Sequence, residues 1–188
     1  MVARAEATAT TAERIVDAAV EVFWELPTDQ ISLDEVARRA GVTVQTVIRR
    51  FGGRDGLLAA AVERESEKVR RQRDEAMPGD PAGAIRVLIE HYELIGDRVL
   101  KMLAEEERIP ALRPIVDHGR TLHRAWCARV FGRSLARLRG LERERRLAQF
   151  VALCDVYTWK VLRRDARLSR RHTELALIEL LNPLLEGS

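Results

Sequence analysis

The chain has 188 residues, 46% hydrophobic and 32% charged, with a formal net charge of +3 at pH 7. This is enough chain to bury one large core or two small ones, and the balance excludes a disordered polymer. No apolar run approaches the roughly 18 residues of a membrane span. The Met1–Glu6 start lacks the basic and apolar stretches of a secretory signal, so a cytoplasmic protein without a membrane partner is expected.

Apolar spacing is helical almost throughout, without strand alternation or internal repeats, which predicts an all-α protein. Residues 1–9 are rich in Ala and Thr and read as a flexible N-terminal tail. Thr10 and Glu13 have the spacing of a capping box. The helix they open carries Ile15, Ala18, Ala19, Val22 and Phe23 on one stripe and stops at Leu26-Pro27. Ser32 and Glu35 form a second capping box, for a short helix reaching Ala40. Gly41 follows, then a third helix from about Thr43 to Phe51, broken by Gly52-Gly53. A long helix runs from Arg54 to about Ala76, and Met77-Pro78-Gly79-Asp80-Pro81 is a linker. Further helices are predicted at roughly 82–95, 97–107, 111–131, 142–164 and 170–186, with Gly96 separating the first two.

Residues 32–51 have the pattern of a helix-turn-helix. Ala37 is small enough for two helices to touch, and Gly41 can take the positive φ of the turn. Val36, Ala40, Val42, Val47 and Phe51 fall on the inward side, leaving Val44, Gln45, Ile48 and Arg49 to project together. That outward set suits a major groove: Gln45 for adenine, Arg49 for guanine, Val44 and Ile48 for thymine methyls. Arg50 and Arg54 lie at the rim, within reach of phosphates, and Ser32 caps a helix whose N-terminus can also face one. From Val36 to Arg54 every charged residue is an arginine (Arg38, Arg39, Arg49, Arg50, Arg54), whereas residues 1–35 are acidic. A local basic patch on a nearly neutral chain fits docking through one defined face.

These residues carry a resemblance. The stretch from Ser32 to Val42, followed by Thr46 to Phe51 and then Arg54 to Leu58, resembles the tetracycline-repressor (TetR) family of one-component regulators. The resemblance spans Thr11 to Leu58, about a quarter of the chain. It implies an all-α homodimer with a three-helix DNA-binding head at residues 10–54 and a ligand-binding and dimerisation domain at 55–188. It also implies a repressor that leaves a palindromic, double-stranded operator when a small molecule binds. At matching positions Ser32, Arg50 and Arg54 would touch phosphates, and Thr43, Val44, Gln45 and Arg49 would face bases. Ile48 departs from the tyrosine usual at its place. A second reading therefore stands beside the first: a helical ligand-binding or interaction protein whose helix-turn-helix no longer binds specific DNA.

In the C-terminal half the predicted 142–164 helix carries two apolar rows. One is Leu147, Phe150, Val151, Cys154, Val161 and Leu162; the other is Ala148, Ala152, Val156 and Trp159. The 170–186 helix is similarly rich in leucine, and helices apolar on two faces need burial twice, against a homodimer partner or within a large monomer core. Tyr92, Met102, His123, Trp126, Asp155 and Trp159 are candidates for a ligand cavity, as aromatic or isolated polar groups within apolar helices. No cofactor is expected. His118 and His123 lack the spacing of a metal pair, Cys127 and Cys154 read as small buried hydrophobes, and no nucleophile elbow or paired acids suggest an enzyme.

Overall fold

A computed structural model describes residues 2–26 and 30–186, and among them there is no β-strand. The chain divides into two compact units, residues 1–68 and 69–188, each with its own core.

The first unit is built on α1 (Val2–Glu25), α2 (Leu33–Ala40), α3 (Val44–Phe51) and the first part of α4 (Arg54–Asp74). α1 starts well before the capping box at Thr10, taking in residues expected to form a tail. Residues 2–12 contain five alanines and neither Gly nor Pro, so propensity carries the helix past a local cap signal. The helix ends at Glu25, while the expected stop at Pro27 lies outside the described residues. Ile15, Ala18, Ala19 and Val22 form its buried stripe, as their spacing predicts. Leu57 and Ala61 of α4 join the same core, and Arg64 pairs with Asp17 at 2.7 Å. The first compact unit runs to residue 68, because α4 supplies one wall of its core.

The second unit contains the end of α4 and α5 (Pro81–Glu105), α6 (Arg113–Val130), α7 (Gly132–Leu135), α8 (Gly140–Leu153), α9 (Val156–Lys160) and α10 (Arg170–Glu186). The predicted linker ends where Asp80 caps α5, accepting the Gly83 N–H at 2.9 Å, with Pro81 in the first turn. The core gathers Ile85, Leu88 and Ile89 of α5, Trp126 and Cys127 of α6, Phe150 of α8 and Leu177 and Leu181 of α10. Phe131 stacks on Phe150 with ring centroids 4.3 Å apart. Cys127 and Cys154 are both free and buried.

Two boundaries differ from the sequence reading. Gly96 does not break α5, which is continuous to Glu105. Instead Gly96 is buried beneath Trp159: a β-carbon there would lie 2.6 Å from the indole. The expected 142–164 helix is also broken, after Leu153, because Asp155 leaves helical geometry and caps α9 by accepting the Tyr157 N–H at 2.9 Å. A wider turn over Val161–Asp165 follows α9. The break turns Val156 and Trp159 inward, so both belong to the unit's own core rather than to a second face. Ala148 and Ala152 remain exposed.

Gly96→Ala tests this packing. An open helical site would gain up to about 1 kcal/mol from alanine, whereas overpacking against Trp159 is expected to cost about 1–3 kcal/mol. Urea unfolding of both proteins measures the sign. A stabilised variant would contradict the close approach.

Candidate nucleic-acid interface

Eight residues make α2 and eight make α3, so the turn and caps do most of the positioning. The Ser32 hydroxyl accepts the Glu35 N–H at 3.2 Å and starts α2. At its other end Gly41 has φ +63°, the left-handed conformation anticipated for the turn. The Val42 N–H then returns to the Ala37 carbonyl at 3.0 Å, and the Arg14 guanidinium donates to the Ala40 carbonyl. Arg14 reaches from α1, a contact that no local signal announces. Thr43 caps α3, its hydroxyl accepting the Thr46 N–H at 3.2 Å, and the Gly52 N–H closes the helix on the Ile48 carbonyl at 2.8 Å.

Val47 is fully buried and Val36, Ala37 and Ala40 nearly so, with Val42 and Phe51 half-buried against the same core. Gln45 and Arg49 are exposed on α3, and Ile48 is 39% exposed. Val44 does not project with them. It is half-buried against the head core, because it shares a face with Val47 and Phe51, three and seven residues on. Thr43 is exposed, but its hydroxyl is committed to the cap and lies 3.0 Å from the Thr46 hydroxyl.

The basic patch also contracts. Glu35 binds Arg38 at 2.6 Å and Arg39 at 2.7 Å, and Arg39 reaches Glu25 at 2.6 Å. Hydrogen bonds from the two guanidiniums pull the Glu35 carboxyl down to about 2. The α2 arginines thus serve an acid–base network within α2 and with the end of α1. Positive charge without such a network sits on Arg49 and Arg50, which have no carboxylate partner among the described residues. The Arg50 Nε is buried without a hydrogen-bond partner. Arg54 is exposed, and its Nε donates to the Ile31 carbonyl at 3.4 Å, beside the Ser32 cap.

Of the candidate ligand residues, three converge in the second unit. Tyr92, His123 and Trp126 surround the side chain of Arg73, a residue that sequence reasoning passed over within the polar run Arg70-Arg71-Gln72-Arg73-Asp74. The Tyr92 hydroxyl donates to the Cys154 carbonyl at 2.9 Å, and burial pushes the phenol well above its ordinary range. The Trp126 indole donates to the Arg73 carbonyl at 3.1 Å. Trp159 is fully buried in the core and donates to Glu93 at 3.2 Å, with its ring centroid 5.8 Å from that of Tyr92. Asp155 acts as a helix cap, and Met102 is half-buried on α5.

Residues 15–61 match the profile of the family described as bacterial regulatory proteins, tetR family. An uncharacterized HTH-type transcriptional regulator of Mycobacterium tuberculosis is 35% identical over 68 residues, covering 36% of this chain and 34% of that protein. The match thus spans about a third of that relative's length. The fold is similar to that of a transcriptional regulator from Rhodococcus sp. RHA1, with a TM-score of 0.68, 24% identity and coverage of 94% of this chain and 96% of the other. It is also similar to the multidrug binding protein EbrR complexed with imidazole, with a TM-score of 0.60, 25% identity and coverage of 89% and 88%.

The Glu35 network makes an acid-side prediction. Its folded carboxyl near 2 lies below the ordinary 4.5, so its stabilisation is fully present above 4.5 and is lost as pH falls towards 2. The stability gap between wild type and Glu35→Gln should therefore close across that window in urea unfolding. A gap that stays constant across the window would contradict the network.

Proposed function

We propose that the chain, whose residues 15–61 match the profile of the tetR family of bacterial regulatory proteins, is a DNA-binding transcriptional regulator of that kind acting as a homodimeric repressor. A palindromic double-stranded operator would be read by α3 and released when a small molecule occupies the C-terminal unit. The observation that carries this reading is the exposed set Gln45, Ile48 and Arg49 on a helix held by the buried Val47. In this reading Gln45 and Arg49 contact base edges, Ile48 packs on a thymine methyl, and Val44 and Thr43 position the helix more than they read it. Ser32, Arg50 and Arg54 face phosphates. Among the described residues no helix is long and apolar enough to cross a membrane.

One head makes few base contacts, and a dimer places two heads about one helical turn (~34–36 Å) apart on a palindrome. Exposed apolar side chains of the second unit favour self-association through its last elements: Leu141, Tyr157, Val161, Leu175 and Leu180 are each 46–82% exposed. The exposed Ala148 and Ala152 add small residues where helices can approach closely. Ligand release follows from linkage: a molecule that favours the head spacing unsuited to operator weakens DNA binding by the same coupling energy, typically ~1–3 kcal/mol. EbrR, complexed with imidazole, supports a small-molecule site in a fold of this kind. The exposed Ile48 favours one rival, a helical binding protein without specific DNA recognition.

Gel retardation with operator and non-operator DNA across a salt titration separates these readings. Arg49→Ala is expected to lose about 1–3 kcal/mol of base discrimination. Arg54→Ala should instead weaken binding to all sequences and lower the salt slope by about one. Sequence-independent retention by wild type would favour the rival. For the dimer, Leu180→Asp should sediment as a monomer and bind operator about a hundredfold more weakly or worse; an unchanged sedimentation coefficient would place the interface elsewhere.

A further inference from the structure

Arg73 is the one buried arginine among the described residues, 8% exposed, in the last turn of α4 within the second unit. Elsewhere in that unit, arginines nearer the surface are paired: Arg163 with Glu93 at 2.8 Å, Arg120 with Glu106 at 2.7 Å and Arg164 with Asp97 at 3.0 Å. Arg73 has no carboxylate within ion-pair distance among the described residues. The adjacent Asp74 is committed to Arg129 at 2.9 Å, and Asp155 to the α9 cap.

Its polar side-chain partner is neutral. Arg73 Nη1 lies 2.9 Å from His123 Nδ1, and because a guanidinium can only donate, Nδ1 must accept. The proton of His123 is then on Nε2, which donates to the Val151 carbonyl at 3.2 Å. His91 is neutral too. Burial and the positive charge of Arg73 push it down to about 3, and its Nδ1 donates to Gln72 at 3.0 Å. The guanidinium carbon lies 5.4 Å from the Trp126 ring and 5.8 Å from the Tyr92 ring, which offsets its desolvation only in part. Arg73 Nε remains buried without any hydrogen bond. A buried cation without a carboxylate partner, with an unused N–H on its planar edge, is costly for a structural element, and an entering carboxylate would reduce the cost.

We propose that Arg73 anchors an effector site in the C-terminal unit, and that the effector is a monocarboxylate on an apolar or aromatic body. The carboxylate would take the Nε–H edge of the guanidinium, which presents parallel donors to a planar acid. A dianion such as a phosphate monoester would leave a second charge uncompensated beside Trp126 and Tyr92. The proposal deepens the ligand-responsive reading above and rests on it for the consequence of binding.

Thermal denaturation of the full chain with hexanoate, decanoate or phenylacetate, each beside its primary amide, provides the test. At about a hundredfold excess over Kd, at least one acid should raise the melting temperature by roughly 5–10 °C, and its amide should not. Arg73→Met should melt at or above the wild-type temperature without probe and lose the acid-dependent shift. Arg73→Lys keeps the charge without the planar edge, and serves even if the methionine variant fails to fold. It should retain the preference for acid over amide with about tenfold weaker binding. The assignment is overturned if no acid stabilises, if acids and amides act alike, if the shift survives in Arg73→Met, or if Arg73→Lys binds as wild type does. Operator retardation with the acid-loaded protein is read separately: undiminished DNA binding would contradict ligand release and leave the acid site standing.

Discussion

An eight-residue helix has too little internal hydrogen bonding to hold itself in water, so α3 depends on the burial of Val47, with Val44 and Phe51 packed beside it, for its place on the head. Fully burying a valine contributes about 1.5–3 kcal/mol, and it does so only if the preceding turn delivers α3 at the right angle. Gly41 supplies that turn with its left-handed backbone, and Arg14 from α1 ties down the neighbouring carbonyl of Ala40. Exposure of Gln45, Ile48 and Arg49 is the geometric remainder of this arrangement. With Val44, Val47 and Phe51 facing the core, the other side of an α-helix has nowhere to go but outward.

Charge follows the same division between support and presentation. Arg38 and Arg39 look from their sequence like part of a DNA-facing patch, yet Glu35 and Glu25 hold them. The arginines that leave the head positive at α3 are Arg49 and Arg50. A docking face built this way is narrow, which favours one register on a duplex over diffuse attraction. Under the proposed function, specificity would fall mainly on Gln45 and Arg49, since Ile48 could offer a base only an apolar contact.

The head was legible because its determinants are local. Ser32, Ala37, Gly41 and Val47 act through hydrogen bonds and contacts a few residues away, and their spacing states the geometry. What escaped was decided by distant partners. Gly96 looks like a helix break until Trp159 is seen packed on it, and the 142–164 pattern looks continuous until Asp155 caps α9. Helical propensity through Ala-rich residues 2–12 overrode the cap at Thr10. Val44 was misplaced for a different reason: spacing of four to Ile48 and three to Val47 puts it on the border of both faces, and only packing chooses. Arg73 was hidden by composition, since a polar run of arginines gives no hint of which member turns inward.

In the proposed function α3 reads a defined DNA sequence as one half of a symmetric pair. Selection of bound duplexes from a random pool by the full chain measures this most directly. An enriched inverted repeat, with half-sites about one helical turn apart, is the predicted result. A pool that stays random, or one enriched in a single unrepeated half-site, would contradict it.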